Sequence, residues 1–152
     1  QQQVRGPHQL PQGTLRRPVV AGSGLLCAVG TQRDPRHESA KAYSRRLKGQ
    51  LVVPAPVVVE TCYFLSTAAK ARMLDWLSSG PVKVAEIPLH AYAEIGPILL
   101  RYAKLDPDFT DAAIVWLAGK IGCRGILTVD TRDFGVYRLK GGRKFEMVKW
   151  FG

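Results

Sequence analysis

Apolar and polar positions fall in short blocks along this chain, and the spacing within the blocks changes repeatedly. Val19-Val20 is a short apolar pair that reads as a strand. Ala21-Gly22-Ser23-Gly24 then turns the chain into Leu25-Leu26-Cys27-Ala28-Val29, which reads as a helix. Asp34-Pro35 is a helix-start signature, and a helix is expected from about Arg36 to Lys48, with Ala40, Tyr43 and Leu47 on its buried face and Gly49 as its stop. Leu51-Val52-Val53 is a second strand, and Pro54 to Pro56 make the turn into an unusually apolar helix from Val57 to about Ala69. A further helix spans Ala71 to Ser79 and stops at Gly80-Pro81. Val82 to Ile87 alternates as a strand. Pro88 opens a helix to Leu105, with Gly96-Pro97 as the place where it would bend or split. Thr110 is a candidate cap for a helix from Asp111 to Ile121. Gly125 to Val129 is a strand ending at Asp130, Asp133-Phe134-Gly135 a short turn or helix, and Phe145 to Val148 a final edge strand.

Strands alternating with helices predict a three-layer α/β domain around a mostly parallel sheet. In such folds chemistry collects outside the carboxyl ends of the strands. Residues 1–18 carry glutamine, proline and glycine with no apolar period, so they read as a flexible leader before a domain spanning residues 19–152.

Composition narrows the classes. The 152 residues suit one domain, and 46% hydrophobic with 22% charged suits a real core. The longest apolar run, Leu51 to Val59, is broken by Pro54 and Pro56 and falls short of the roughly 18–20 residues of a membrane span. The first residues lack the apolar stretch of a secretory signal. Cys27, Cys62 and Cys123 form no CxxC pair, so they read as reduced, buried thiols and fit a cytoplasmic location. The net charge of +10 attracts polyanions, nucleic acid first.

The acidic residues are placed unusually. Glu60 lies within the apolar run Val57 to Leu65, where a carboxylate needs a cation, a metal or a raised pKa. Pairing with a neighbouring Lys or Arg is the plainer explanation. Asp111 opens a helix, a position that suits the helix dipole without any chemistry, and Asp108 reads as a loop or capping residue. Asp130 closes an apolar strand and Asp133 follows it, and turn chemistry accounts for both taken singly. Taken together, Glu60, Asp111 and Asp130 fall on one rim of the expected sheet. Carboxylates converging there repel one another unless a divalent cation binds, and oxygen-only donors suit Mg²⁺ or Mn²⁺. Such a metal with a basic surface points to a nuclease. Arg132, Arg138, Lys140, Arg143 and Lys144 form a basic stretch next to that rim, where Arg132 and Arg138 can hold substrate phosphates, a solvated hairpin being the plainer explanation. Gly22-Ser23-Gly24 lacks the rest of a phosphate loop, and His37, on a charged helix, is expected in solvent. Trp76, Trp116 and Trp150 read as core or interface residues.

Ser23 after the opening strand, Asp34-Pro35-Arg36-His37, Pro54 to Glu60, Asp108 to Ala113 and Leu127 to Gly135 occur in an order and spacing that resembles PIN domains, close to the VapC-type toxins of bacterial toxin–antitoxin modules. The resemblance implies a three-layer α/β/α fold with a mostly parallel central sheet, a homodimer, and RNA cleavage with Mg²⁺ or Mn²⁺ as cofactor. It implies Glu60, Asp111, Asp130 and Asp133 as catalytic metal ligands and Ser23 and Thr128 as hydroxyl residues lining the site. It also implies a VapB-like antitoxin partner. The chain departs from the family pattern at Ala21, where an aspartate is expected at the end of the first strand. Impaired activity follows from that departure. A catalytically inactive RNA- or antitoxin-binding protein of the same fold is the alternative.

Overall fold

The computed structural model of this chain describes residues 17–47, 49–139 and 141–151. The expected leader falls mostly outside the described residues, as do Lys48 and Lys140. Among the described residues, five strands form the sheet: β1 (Val19–Ala21), β2 (Leu51–Pro54), β3 (Lys83–Ala85), β4 (Gly125–Leu127) and β5 (Glu146–Met147). Their spatial order is β3-β2-β1-β4-β5, and all four strand pairs are parallel. Val20 sits at the centre, level with Val52 on one side and Ile126 on the other. Short β-branched runs buried on both faces are what a parallel sheet covered by helices requires.

Among the described residues, seven helices supply the covers: α1 (Ser23–Gly30), α2 (His37–Arg46), α3 (Ala55–Tyr63), α4 (Thr67–Ser78), α5 (Ala91–Arg101), α6 (Phe109–Ile121) and α7 (Thr131–Phe134). A 3₁₀ turn, Ala103–Leu105, follows α5. The result is the expected three-layer α/β/α arrangement. Val20, Leu25, Val53, Val57, Ile126 and Leu127 belong to the larger apolar core. A second cluster joins Val52 to Ala91 and Ile95 of α5 and to Ala112, Ala113, Trp116 and Leu117 of α6. Every residue from Ala112 to Ala118 is buried, so the middle of α6 is enclosed on all sides, while its two ends reach the surface.

Several boundaries differ from the sequence pattern for identifiable reasons. The long apolar helix expected to Ala69 ends at Tyr63, because the Ser66 hydroxyl accepts from the Ala69 N–H at 3.2 Å and starts α4. Helix α5 passes through Pro97 unbroken and ends at Arg101. Strand β4 stops at Leu127 because the next residues fold into a capping turn. The cap of α6 is Asp108 rather than Thr110, and its Oδ1 accepts from the Asp111 N–H at 2.8 Å.

Candidate functional site

Strand order reverses across β1: β2 and β3 lie to one side, β4 and β5 to the other. The crevice outside the carboxyl ends of β1 and β4 is the topological switch point at which open α/β sheets place their ligands. At this edge the Gly22 N–H donates to the Leu127 carbonyl at 3.0 Å and ties the start of α1 to the end of β4. Gly24 packs closely beside it, since a Cβ there would stand 2.8 Å from both γ-carbons of Val129. Close packing thus accounts for Gly24, whereas a Cβ at Gly22 would meet only ordinary contacts at 3.8 and 3.9 Å.

Each functional candidate reaches this edge from its own element. Ser23, the first residue of α1, donates from its hydroxyl to Glu60 Oε1 on α3 at 2.8 Å. This half-buried contact answers how Glu60 is kept in an apolar helix: a neutral donor fixes one oxygen. Asp111 stands in the first turn of α6. Its carboxyl is raised to about 7, first because burial strips its water, then because the negative charges of Asp108, Glu60 and Asp130 face it. Asp130 caps α7, with Oδ1 accepting from the Asp133 N–H at 3.0 Å. Its own N–H donates to the buried Thr128 hydroxyl at 2.9 Å. The structure therefore brings Asp108, Glu60 and Asp130 within electrostatic reach of Asp111. It gives Asp133, Asp130 and Thr128 a shared local hydrogen-bonded turn.

The donor chemistry fits a hard divalent ion, and so does the negative charge of Asp108, Glu60 and Asp130 around Asp111. Completeness does not. Among the described residues no three Asp, Glu, His or Cys side chains are grouped closely enough to hold a metal. At the end of β1, where a carboxylate would enlarge the set, stands the fully buried Ala21.

The basic candidates divide. Arg132 is exposed. Arg138 folds back on its own turn, where its Nη1 donates to the carbonyls of Gly135, Val136 and Tyr137 at 2.6, 2.9 and 3.0 Å. His37 is half-buried rather than solvated, with Nδ1 2.7 Å from the Ala28 carbonyl. Trp116 and Trp150 are buried, and the Trp116 ring N–H donates to Glu94 at 2.8 Å. Cys123 is buried, whereas Cys27 and Cys62 are half-buried; all three are free thiols. One feature at this edge had no sequence signal: the buried hydroxyl of Tyr137.

Two grooves open among the described residues, and only the second includes residues of the acidic rim. One, of about 1070 Å³, runs between α1, α2 and α4 and is lined by Arg33, Lys41, Arg45 and Arg72 together with Phe64, Met73 and Trp76. The other, of about 680 Å³, includes Glu60 and Asp108 beside Val59, Tyr63, Tyr92 and Phe109. No helix among the described residues is long and apolar enough to cross a membrane.

A family model described as PIN domain matches residues 25–140. Ribonuclease VapC26 of Mycobacterium tuberculosis (strain ATCC 25618 / H37Rv) is 27% identical over 134 residues, which cover 86% of this chain and 99% of the relative. Among solved structures, the sarcin–ricin-loop-cleaving toxin VapC20 of Mycobacterium tuberculosis superposes with a TM-score of 0.68 at 19% identity, covering 75% of this chain and 91% of that one. The DNA-bound VapBC of Salmonella typhimurium gives a TM-score of 0.61 at 17% identity, with 87% and 98% covered.

Proposed function

This chain belongs to the PIN domain family, and from that premise we propose that it is a metal-dependent endoribonuclease of the VapC toxin type, impaired at its cation site by Ala21. The observation that carries the reading is the crowding at Asp111, whose carboxyl is pushed up to about 7 first by burial and then by the charges of Asp108, Glu60 and Asp130, and which a bound cation would relieve. Its relative VapC26 is named a ribonuclease.

Glu60, Asp111 and Asp130, with Asp133 alongside, are the residues that would hold Mg²⁺ or Mn²⁺. When bound, such an ion lowers the pKa of a water and offsets the charge that develops on a phosphodiester under attack. The chain's own residues prepare for this. The Ser23 hydroxyl fixes one oxygen of Glu60, and the Thr128 hydroxyl sets the turn that presents Asp130. Arg132 lies next to the rim, free of the carbonyl contacts that engage Arg138, and can neutralise a neighbouring RNA phosphate.

A second reading has its own support. Ala21 removes a carboxylate position, and the described residues offer no three-donor group, as a catalytically inactive RNA- or antitoxin-binding protein would. Ala21→Asp separates the two. The nuclease reading expects RNA cleavage in Mn²⁺ to rise strongly in Ala21→Asp and to be lost when Glu60→Gln is added. If neither form cuts RNA while both still bind it, the inactive reading replaces it.

Partners follow from the surface. The basic and apolar groove between α1, α2 and α4 suits an acidic, partly apolar segment, as a VapB-like antitoxin would supply. Val59, Tyr63, Leu89 and Tyr92 are exposed on and around α3 and α5, and burying them against a second copy gives a homodimer. Both proposals place the protein in the cytoplasm, beside its RNA.

A further inference from the structure

The groove that contains Glu60 and Asp108 joins two kinds of side chain. Its aromatic wall is Tyr92, in the first turn of α5, stacked on Phe109, the first residue of α6. The ring centroids are 5.7 Å apart and the planes 17° from parallel, and the rings stay 54% and 37% exposed. Its charged lining groups are Glu60, Glu86 and Asp108, and no Lys or Arg is among the described residues that line it. The volume of about 680 Å³ falls within the roughly 300–1,000 Å³ of small-ligand pockets. Glu60 and Asp108 also belong to the acidic rim, so an occupant of the groove lies beside the proposed cleavage site.

The three carboxylates differ in what they already hold. Glu60 accepts from the Ser23 hydroxyl, and Asp108 from the Asp111 N–H. Glu86, between β3 and α5, is exposed, and no hydrogen bond or ion pair engages it among the described residues. A carboxylate only accepts, and its two oxygens suit two adjacent N–H donors. Among the RNA bases guanine alone offers such a pair, N1–H and N2–H, on its Watson–Crick edge. Adenine and cytosine place an acceptor beside their amino group, and the uracil N–H stands between two carbonyls. Stacking on an exposed ring with the base edge hydrogen-bonded is how proteins read unpaired bases. An arginine side chain also matches a free carboxylate, but the groove shares Glu60 and Asp108 with the rim where a phosphodiester is proposed to be cut, and that favours the base.

We propose that this groove is a base-recognition subsite: it takes an unpaired guanine next to the scissile phosphate, stacked on the Tyr92–Phe109 pair, with N1–H and N2–H donating to Glu86. The inference rests on the ribonuclease reading for its class of ligand and adds a physical reason for choosing one base over another. The groove offers a phosphate no cation, so the sugar–phosphate backbone runs outside it. Tyr92 is also among the residues proposed to meet a second copy, so the test covers both occupants.

The test reads binding rather than cleavage: fluorescence anisotropy, in Ca²⁺, of fluorescein-labelled pyrimidine pentaribonucleotides that carry one central guanine, inosine or adenine. The guanine RNA is expected to bind about tenfold more tightly than the adenine RNA, with inosine, which lacks the N2 amino group, in between. Glu86→Gln is expected to remove that preference, because an amide offers one acceptor oxygen where two are needed. Phe109→Leu is expected to weaken all three RNAs about equally, since stacking tolerates any base. Equal binding of the three RNAs, or a guanine preference that survives Glu86→Gln, overturns the proposal. So does a Tyr92→Glu variant that turns a dimer into a monomer in sedimentation and leaves guanine binding unchanged, because the face then belongs to the second copy. Failure of every RNA to bind overturns it too, and an arginine peptide held through Glu86 would then identify a protein-docking surface. Cleavage by Ala21→Asp is scored separately. A guanine preference without cleavage sinks only the nuclease reading, and cleavage without a guanine preference sinks only the subsite.

Discussion

Replacing Asp111 by asparagine is expected to stabilise the metal-free protein, and only above a defined pH. The carboxyl rises from 3.8 to about 7 in the folded chain, first through burial and then through Asp108, Glu60 and Asp130. A group whose folded pKa lies above its unfolded one contributes fully below the unfolded value and loses that contribution as pH climbs to the folded value. At ~1.4 kcal/mol per pH unit, the span of about 3 units sets a ceiling of ~4 kcal/mol. Asp111 is only half-buried, so solvent screening should reduce this to ~1–2 kcal/mol. Asparagine keeps the shape and never ionises. The assay is urea unfolding of both proteins in EDTA at half-unit steps from pH 4 to 8.5. The stability difference should be near zero at pH 4, grow in favour of Asp111→Asn up to about pH 7, and stay level beyond. A difference that does not change with pH, or an asparagine variant less stable at pH 8, would refute the claim that like charges crowd Asp111.

Other substitutions probe the elements that build the edge. Ser23→Ala deletes the 2.8 Å donor to Glu60 and should cost about 1–2 kcal/mol in denaturant unfolding at pH 7; an unchanged midpoint would mean that Glu60 finds a substitute in water. Gly24→Ala drives a methyl to 2.8 Å from the Val129 γ-carbons, and a loss of about 1–2 kcal/mol is expected, recovered largely by adding Val129→Ala. Ser66→Ala removes the cap that separates α3 from α4 and should lower stability by about 1 kcal/mol, measured by thermal unfolding.

The strands and most helices were legible because short β-branched runs and glycine or proline breaks announce them, as in Leu51 to Pro54 and Gly80-Pro81. The joint between α3 and α4 was not, since Ser66 sits inside an apolar stretch whose periodicity continues across it. Strand β4 looked longer because Val129 is apolar, yet the Thr128 hydroxyl captures the Asp130 N–H and bends the chain first. Glu60 stood out as a carboxylate in an apolar run, whereas its partner Ser23 lies 37 residues away and only the fold joins them. Arg138 resembled a surface cation in sequence, but its guanidinium is held by the carbonyls of its own turn. Tyr137 gave no sign, because a tyrosine in Val136 to Leu139 is indistinguishable from core until its hydroxyl is seen without a partner.

The claim that Glu60, Asp111 and Asp130 form a cation site lacking the carboxylate that Ala21 replaces is tested most directly by calorimetric titration of Mn²⁺ into this chain and into Ala21→Asp. The account predicts that the added carboxylate tightens binding by at least about tenfold and that Asp111→Asn cancels the gain. Equal affinity in the two proteins, or a gain that survives Asp111→Asn, would contradict it.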